Sequence, residues 1–174
     1  MNKFHRLLRY DWPLHFILLF TNWLPDNVIL ITLRGFLSKP FFWKAGCNLQ
    51  IGRGVTFYDP SKISIGDNVY IARGCWLSAG AGIEIGNDIL FGPYVVVVTS
   101  NHSLKNGAYY WGETIDKERV VFNDGCWIGA HVTILPGVKV GKGSLVAANS
   151  VLSKSTEDFS VYAGVPAKLI KYAQ

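Results

Sequence analysis

The chain has 174 residues, of which 49% are apolar and 17% charged, and its net charge is +5. That length suits one domain with a sizeable core, and the apolar share is high but within the globular range. Three cysteines, Cys47, Cys75 and Cys126, are an odd count with no CxxC spacing, which argues against a disulfide scaffold and a zinc site and reads as buried thiols in a reducing cytosol. The positive excess fits a solvated surface, an anionic ligand or an anionic membrane.

Residues 1–44 read as a helical, apolar and basic cap. Leu14–Leu24 (LHFILLFTNWL) falls short of the roughly 20 residues a spanning helix needs. No small-residue cleavage site follows, which argues against a signal peptide. Arg6, Arg9, Arg34, Lys39 and Lys44 flank the apolar residues. The simplest reading is a pair of helices over one end of the main body. The alternative is a segment lying on a membrane surface, so the expected location is cytoplasmic, or peripheral at the inner face of a membrane.

From residue 45 the chain becomes periodic. Ile51 and Phe57 are six apart, a step of eight reaches Ile65, and sixes give Ile71 and Leu77. A second step of eight reaches Ile85, then Phe91 and Val97. The series resumes at Phe122 and continues through Ile128, Ile134, Val140, Val146 and Leu152. Four residues after the markers stand mostly small or β-branched residues: Val55, Ser61, Val69, Cys75, Ala81, Val95, Cys126, Val132, Val138, Ser144 and Ser150. A period of six is not a multiple of 3.6, so a helix cannot satisfy it. Short strands can: each hexad makes one strand and one corner, and three hexads close a triangular coil that stacks on the next. Glycine, Asn and Asp suit the corners because they tolerate positive φ. The steps of eight read as two-residue corner insertions.

Between Val97 and Phe122 the rhythm stops, leaving an excursion over 101–120. About 20 residues without a repeat are unusual in a compact domain and generally functional or disordered. Tyr109, Tyr110 and Trp111 disfavour disorder. His102 stands at the root, where the last strand fixes its direction, and a neutral imidazole can take a proton from a hydroxyl near neutral pH. His5 and His15 lie outside the repeat, and His131 falls at an outward position.

These segments resemble a known family. The hexads resemble the left-handed parallel β-helix of the hexapeptide-repeat transferases. NHSLKNGAYYWGE, GCWIGAHVTILPGVKVGKGSLVAANSVLSKS and YAGVPAKLIK are similar to segments of the galactoside, maltose and polysaccharide O-acetyltransferases. The resemblance implies an all-β, left-handed parallel β-helix over 45–158, with a capping segment at 159–174 that includes a short C-terminal helix. It implies His102 as general base and acetyl-coenzyme A as donor, with no metal. Ala130 and Ala148 would line the pantetheine path, followed by Ser153 and Lys154, with Lys168 and Lys171 near the nucleotide phosphates. Trp127 reads first as packing, then as a cofactor contact. Asn101, Tyr109 and Trp111 would meet a carbohydrate or glycolipid acceptor, and the assembly would be a homotrimer with each groove between chains. No nucleic-acid partner is expected. The acceptor residues of the galactoside and maltose enzymes do not carry over, because IARGCWLSAG stands at their place. The apolar, basic N-terminus resembles the exopolysaccharide and O-antigen enzymes instead. Rival readings are an N-acetyltransferase on an amino-sugar nucleotide, a non-catalytic β-helix scaffold, and a zinc hydratase, which would need three converging histidines.

Overall fold

The computed structural model describes residues 3–115 and 117–173, with side chains at all of these except 3 and 110–115. Five stacked coils make the body. The first holds β1 (Lys44–Ala45), β2 (Gln50–Ile51) and β3 (Thr56–Tyr58). The second holds β4 (Ile63–Ile65), β5 (Val69–Ile71) and β6 (Trp76–Ser78). The third holds β7 (Ile83–Ile85), β8 (Ile89–Phe91) and β9 (Val96–Val98). A hairpin of β10 (Asn101–Lys105) and β11 (Ala108–Ile115) interrupts the series. The fourth coil holds β12 (Val120–Phe122), β13 (Trp127–Ile128) and β14 (Thr133–Ile134). The fifth holds β15 (Lys139–Val140), β16 (Leu145–Val146) and β17 (Val151–Leu152), and β18 (Ser160–Gly164) and β19 (Ala167–Tyr172) begin a sixth.

Strands of the same rank pair in parallel from coil to coil. The first sheet runs β1-β4-β7-β12-β15, the second β2-β5-β8-β13-β16-β18-β19 and the third β3-β6-β9-β14-β17. The register stacks marker on marker: Ile51, Ile71, Phe91, Ile128 and Val146 form one column of the second sheet. Each marker is buried except Phe57, which is partly buried and meets Phe42 edge to face at 4.9 Å. The result is a parallel β-solenoid, a three-sided prism filled by the residues that the six-residue period marks.

Two inward assignments need correction. Ser61 and Ala81 are only partly buried, and Ile63 and Ile83 hold the interior instead. The two-residue insertions cause this. Asp59 opens a 3₁₀ turn over Pro60–Lys62, and Ala79 to Gly82 forms the matching turn, so the inward slot slides two places. Cys47 is a further correction: it is exposed, whereas Cys75 and Cys126 are buried.

Corners are held by residues in the left-handed region. At the second corner, between the second and third sheets, these are Gly54, Gly74, Tyr94, His131 and Asn149. Each amide from Gly74 onward donates to a carbonyl one coil below, as in Tyr94 N to Arg73 O and Asn149 N to Ala130 O. Coils approach closely here: a Cβ on Gly92 would stand 2.6 Å from the Ala130 nitrogen.

At an open end, backbone groups lose the coil that would satisfy them. Helices close the first end: α1 (Lys3–Arg6), a π-helical turn at Leu7–Asp11, α2 (Trp12–Thr21) and α3 (Val28–Ser38). In every later coil the carbonyl equivalent to that of Ile51 accepts an amide from below. In the first coil it accepts Arg34 Nη1 instead, at 2.6 Å. The Gly54 amide donates to Asn22 Oδ1 and the Arg53 amide to Asp26. Arg34 is fully buried and ion-paired to Asp26 at 3.1 Å. Gly35 permits the contact, since a Cβ there would collide with the Leu49 carbonyl. At the opposite end, side chains again replace a missing coil: Lys139 N donates to Ser155 Oγ, Gly141 N to Thr156 Oγ1 and Lys142 N to Asp158 Oδ1.

The C-terminal helix is not formed. Ala167–Tyr172 is β19, antiparallel to β18. β18 extends the second sheet by pairing with β16, and its own outer edge then takes the following residues as a strand. The short helix would have left that edge unpaired.

Candidate active site

The third corner, between the third and first sheets, carries the hairpin. Its root is fixed by Thr99, which is fully buried. The Thr99 hydroxyl donates to Ser78 O at 2.8 Å and accepts the Ala81 amide at 3.0 Å, tying the root to the coil below. The Glu118 amide closes the other limb onto Thr99 O. Sequence reasoning missed this anchor; the signal was a β-branched hydroxyl immediately before the break. The excursion is therefore a built hairpin, not a structureless loop.

His102 lies in β10 opposite Thr114, and Leu104 lies opposite Tyr109. Ser103 is buried at 7%, His102 and Leu104 on either side of it are exposed, and the strand register shifts between them. Leu104 and Tyr109 are 62% and 75% exposed. Cross-strand neighbours share a face, so Leu104 and Tyr109 form an exposed apolar pair, and His102 stands two residues before it in the same strand, opposite Thr114. Asn101 is exposed and directly precedes His102, so strand alternation turns the two to opposite faces. The Trp111 side chain lies outside the described residues.

The expected cofactor residues divide into two groups. Ala130 and Ala148 stack at the second corner, where the small side chains leave the backbone open to an elongated ligand. Val161 continues the outward column of Trp127 and Leu145, and Lys171 pairs with Val161, so Trp127 and Lys171 share the second sheet's outer face. Lys168 pairs with Ala163 near the same corner, and both lysines are exposed. Ser153 and Lys154, also exposed, follow β17 at the third corner, two coils beyond the hairpin root. The width of the third sheet, a three-residue strand of about 10 Å, separates the two groups within one chain.

The two buried thiols offer no nucleophile. Burial pushes Cys75 and Cys126 up to about 11, so neither carries thiolate near neutral pH. His131 is exposed at the second corner and stacks on Tyr94 with ring centroids 5.0 Å apart, away from His102 at the third. Among the described residues no group of three His, Cys, Asp or Glu could hold a metal ion. An open cleft of about 500 Å³ lies on the first sheet, lined in part by Glu84, Asp124, Asp158 and Lys142. Three carboxylates against one lysine make it a poor match for an anionic ligand.

Comparison with known proteins agrees with this fold. Residues 119–154 match the family described as bacterial transferase hexapeptide (six repeats). The chain is 35% identical over 128 residues to a putative lipopolysaccharide biosynthesis O-acetyl transferase of Escherichia coli K12, covering 69% of this chain and 62% of that protein. It is 31% identical over 143 residues to the galactoside O-acetyltransferase of the same organism, covering 79% and 68%. The chain thus spans about three fifths to two thirds of the length of these relatives. A hexapeptide-repeat acetyltransferase from Vibrio cholerae, solved with acetyl coenzyme A, superposes with a TM-score of 0.81 at 28% identity over 93% of this chain and 86% of that one. The chain belongs to the hexapeptide-repeat acetyltransferases.

Proposed function

We propose that this protein transfers an acetyl group from acetyl-coenzyme A to a sugar hydroxyl of a polysaccharide or glycolipid precursor, with His102 as general base. The observation that carries the reading is the hairpin itself, which presents an exposed His102 just beyond a root locked by Thr99, in the same strand as the exposed Leu104 that pairs with Tyr109. The name of the lipopolysaccharide relative supports a glycan acceptor.

His102 removes the hydroxyl proton as the oxygen attacks the thioester carbonyl. The new C–O bond forms, the C–S bond breaks, and the proton passes to the departing thiolate. General-base assistance of this kind is worth about 10²–10⁴-fold. Holding donor and acceptor together contributes further through proximity. Buried, protonated Cys75 and Cys126 support direct transfer without an acyl-enzyme.

The split between corners favours a site shared by neighbouring chains of a homotrimer. The hairpin of one chain would face the second corner of the next, where Ala130 and Ala148 receive the pantetheine arm. Lys168 and Lys171 would supply point charges for the phosphates.

The test is turnover of labelled acetyl-coenzyme A with cell-envelope glycan precursors. His102→Ala is expected to lower kcat by about 10²–10⁴-fold with an unchanged melting temperature; unaltered turnover rejects the assignment. Mixing inactive His102→Ala chains with inactive Ala148→Trp chains should restore part of the activity if the site spans two chains. No recovery in refolded mixtures would place the site within one chain.

A further inference from the structure

The helical cap buries Arg34 and Ser38 beside Leu14, Leu18 and Ile31, and exposes many of its other apolar side chains. On α3 the inward residues are Ile31, Arg34, Gly35 and Ser38, while Ile29, Leu33 and Phe36 face outward at 79%, 41% and 66% exposure. On α2, Leu14 and Leu18 face the prism, and Phe16 and Phe20 lie exposed opposite them. The inner face is explained by the end-capping bonds of Asn22, Asp26 and Arg34. Among the described residues, nothing covers the outer face. Of 26 large apolar side chains exposed among the described residues, 14 lie in residues 4–43. Apolar patches of that kind on a folded surface mark something that covers them.

Charge identifies the cover. Residues 1–44 hold six Lys and Arg against two Asp, which is +4 of the chain's net +5. Two of these cations are paired, Arg34 to Asp26 and Arg6 to Asp59, and Asp11 lines the crevice between α2 and the first coil. Arg9 and Lys44 are exposed. Three of the six tryptophans, Trp12, Trp23 and Trp43, are exposed here too, at 52%, 87% and 76%. Apolar stripes, tryptophans and cations on one layer are what an anionic lipid interface accommodates. Protein interfaces are depleted of charge at their centres and offer no use for this excess.

We propose that the outer face of the helical cap docks on an anionic lipid surface, with α2 and α3 lying in the interface. No helix among the described residues is long and apolar enough to cross a membrane, so the layer would rest on the bilayer. Coils rise about 4.8 Å each, and the hairpin leaves the third coil, so the His102 face would stand about 10 Å above the first coil. The proposal stands independently of acetyl transfer.

Flotation of the full chain with vesicles tests it without an enzymatic readout. The protein should float with phosphatidylcholine vesicles containing phosphatidylglycerol, float poorly with phosphatidylcholine alone, and release as salt rises. A Phe16→Ser, Phe20→Ser, Phe36→Ser variant, altered only at exposed positions, should bind at least about tenfold more weakly with an unchanged melting temperature. Absence of flotation with anionic vesicles, or equal flotation of the variant, overturns the proposal. So does a fall in the variant's solution mass without a change in flotation, because the face would then hold a second copy of the chain.

Discussion

The prism and the helical cap sort their side chains in opposite senses. In the prism the large apolar residues point inward. In α3 a guanidinium points inward, and Ile29 and Phe36 point out. Backbone hydrogen bonding accounts for the contrast. A coil of the prism is satisfied by the coils on either side, so its interior needs only apolar volume. A helix satisfies itself, so its inner face is free to serve others. Here it serves the first coil, whose Ile51 carbonyl and whose Arg53 and Gly54 amides have no coil beneath them. The cap therefore does for one end of the prism what Ser155, Thr156 and Asp158 do for the other.

The sharpest way to break this comparison is to remove the inward cation. Arg34→Ala would leave Asp26 with Arg53 as its ion partner and the Ile51 and Thr21 carbonyls without their Arg34 donor. Each buried acceptor left unsatisfied costs about 1–3 kcal/mol, so urea unfolding should show a loss of about 2–6 kcal/mol. A Phe36→Ser control on the outer face should change stability by no more than about 0.5 kcal/mol. If the two variants were equally destabilised, the inner and outer faces of α3 would not differ as described.

The prism half of the comparison rests on Ile134, fully buried between Val97 and Leu152 in the third sheet. Ile134→Ala should cost about 2–5 kcal/mol through lost burial and the cavity left behind. The same readout checks it, and a cost below about 1 kcal/mol would mean that the coil collapses around the gap.

The prism was legible in the sequence because one rule, a large apolar residue every sixth place, repeats with the geometry that creates it. Where geometry departs from the rule, reading failed. Ser61 and Ala81 obeyed the count, but the two-residue insertions had moved the inward slot to Ile63 and Ile83. Ala167–Tyr172 carries no period that separates helix from strand, and the free edge of β18 decided the matter. Arg34 read only as one of five cations flanking apolar residues, because the orphan Ile51 carbonyl that it serves is created only when the first coil closes. Of the candidate site, the position of His102 at the break was visible. The Leu104–Tyr109 pair arises through cross-strand register, and the Thr99 anchor through contact with the second coil; neither leaves a mark in hexad spacing.

The gentlest probe of inside against outside is thiol chemistry. Cys47 is exposed at a corner of the first coil, while Cys75 and Cys126 lie inside the prism. Desolvation pushes both buried thiols up to about 11 from an ordinary value of 9.0. At pH 8 a group titrating near 11 is thiolate in about one molecule in a thousand, and the thiolate is the form that reacts. Iodoacetamide should therefore add one group to the native protein, at Cys47, and three after unfolding in urea, as read by mass spectrometry. The same shifts set a sign for alkaline stability. The folded state holds these protons more tightly than the unfolded state, so between pH 9 and 11 the unfolded chain binds fewer protons and stability falls as pH rises. Native alkylation of Cys75 or Cys126 at the rate of Cys47 would mean that the coils open, and a melting temperature that rose across that alkaline range would contradict the burial of both thiols.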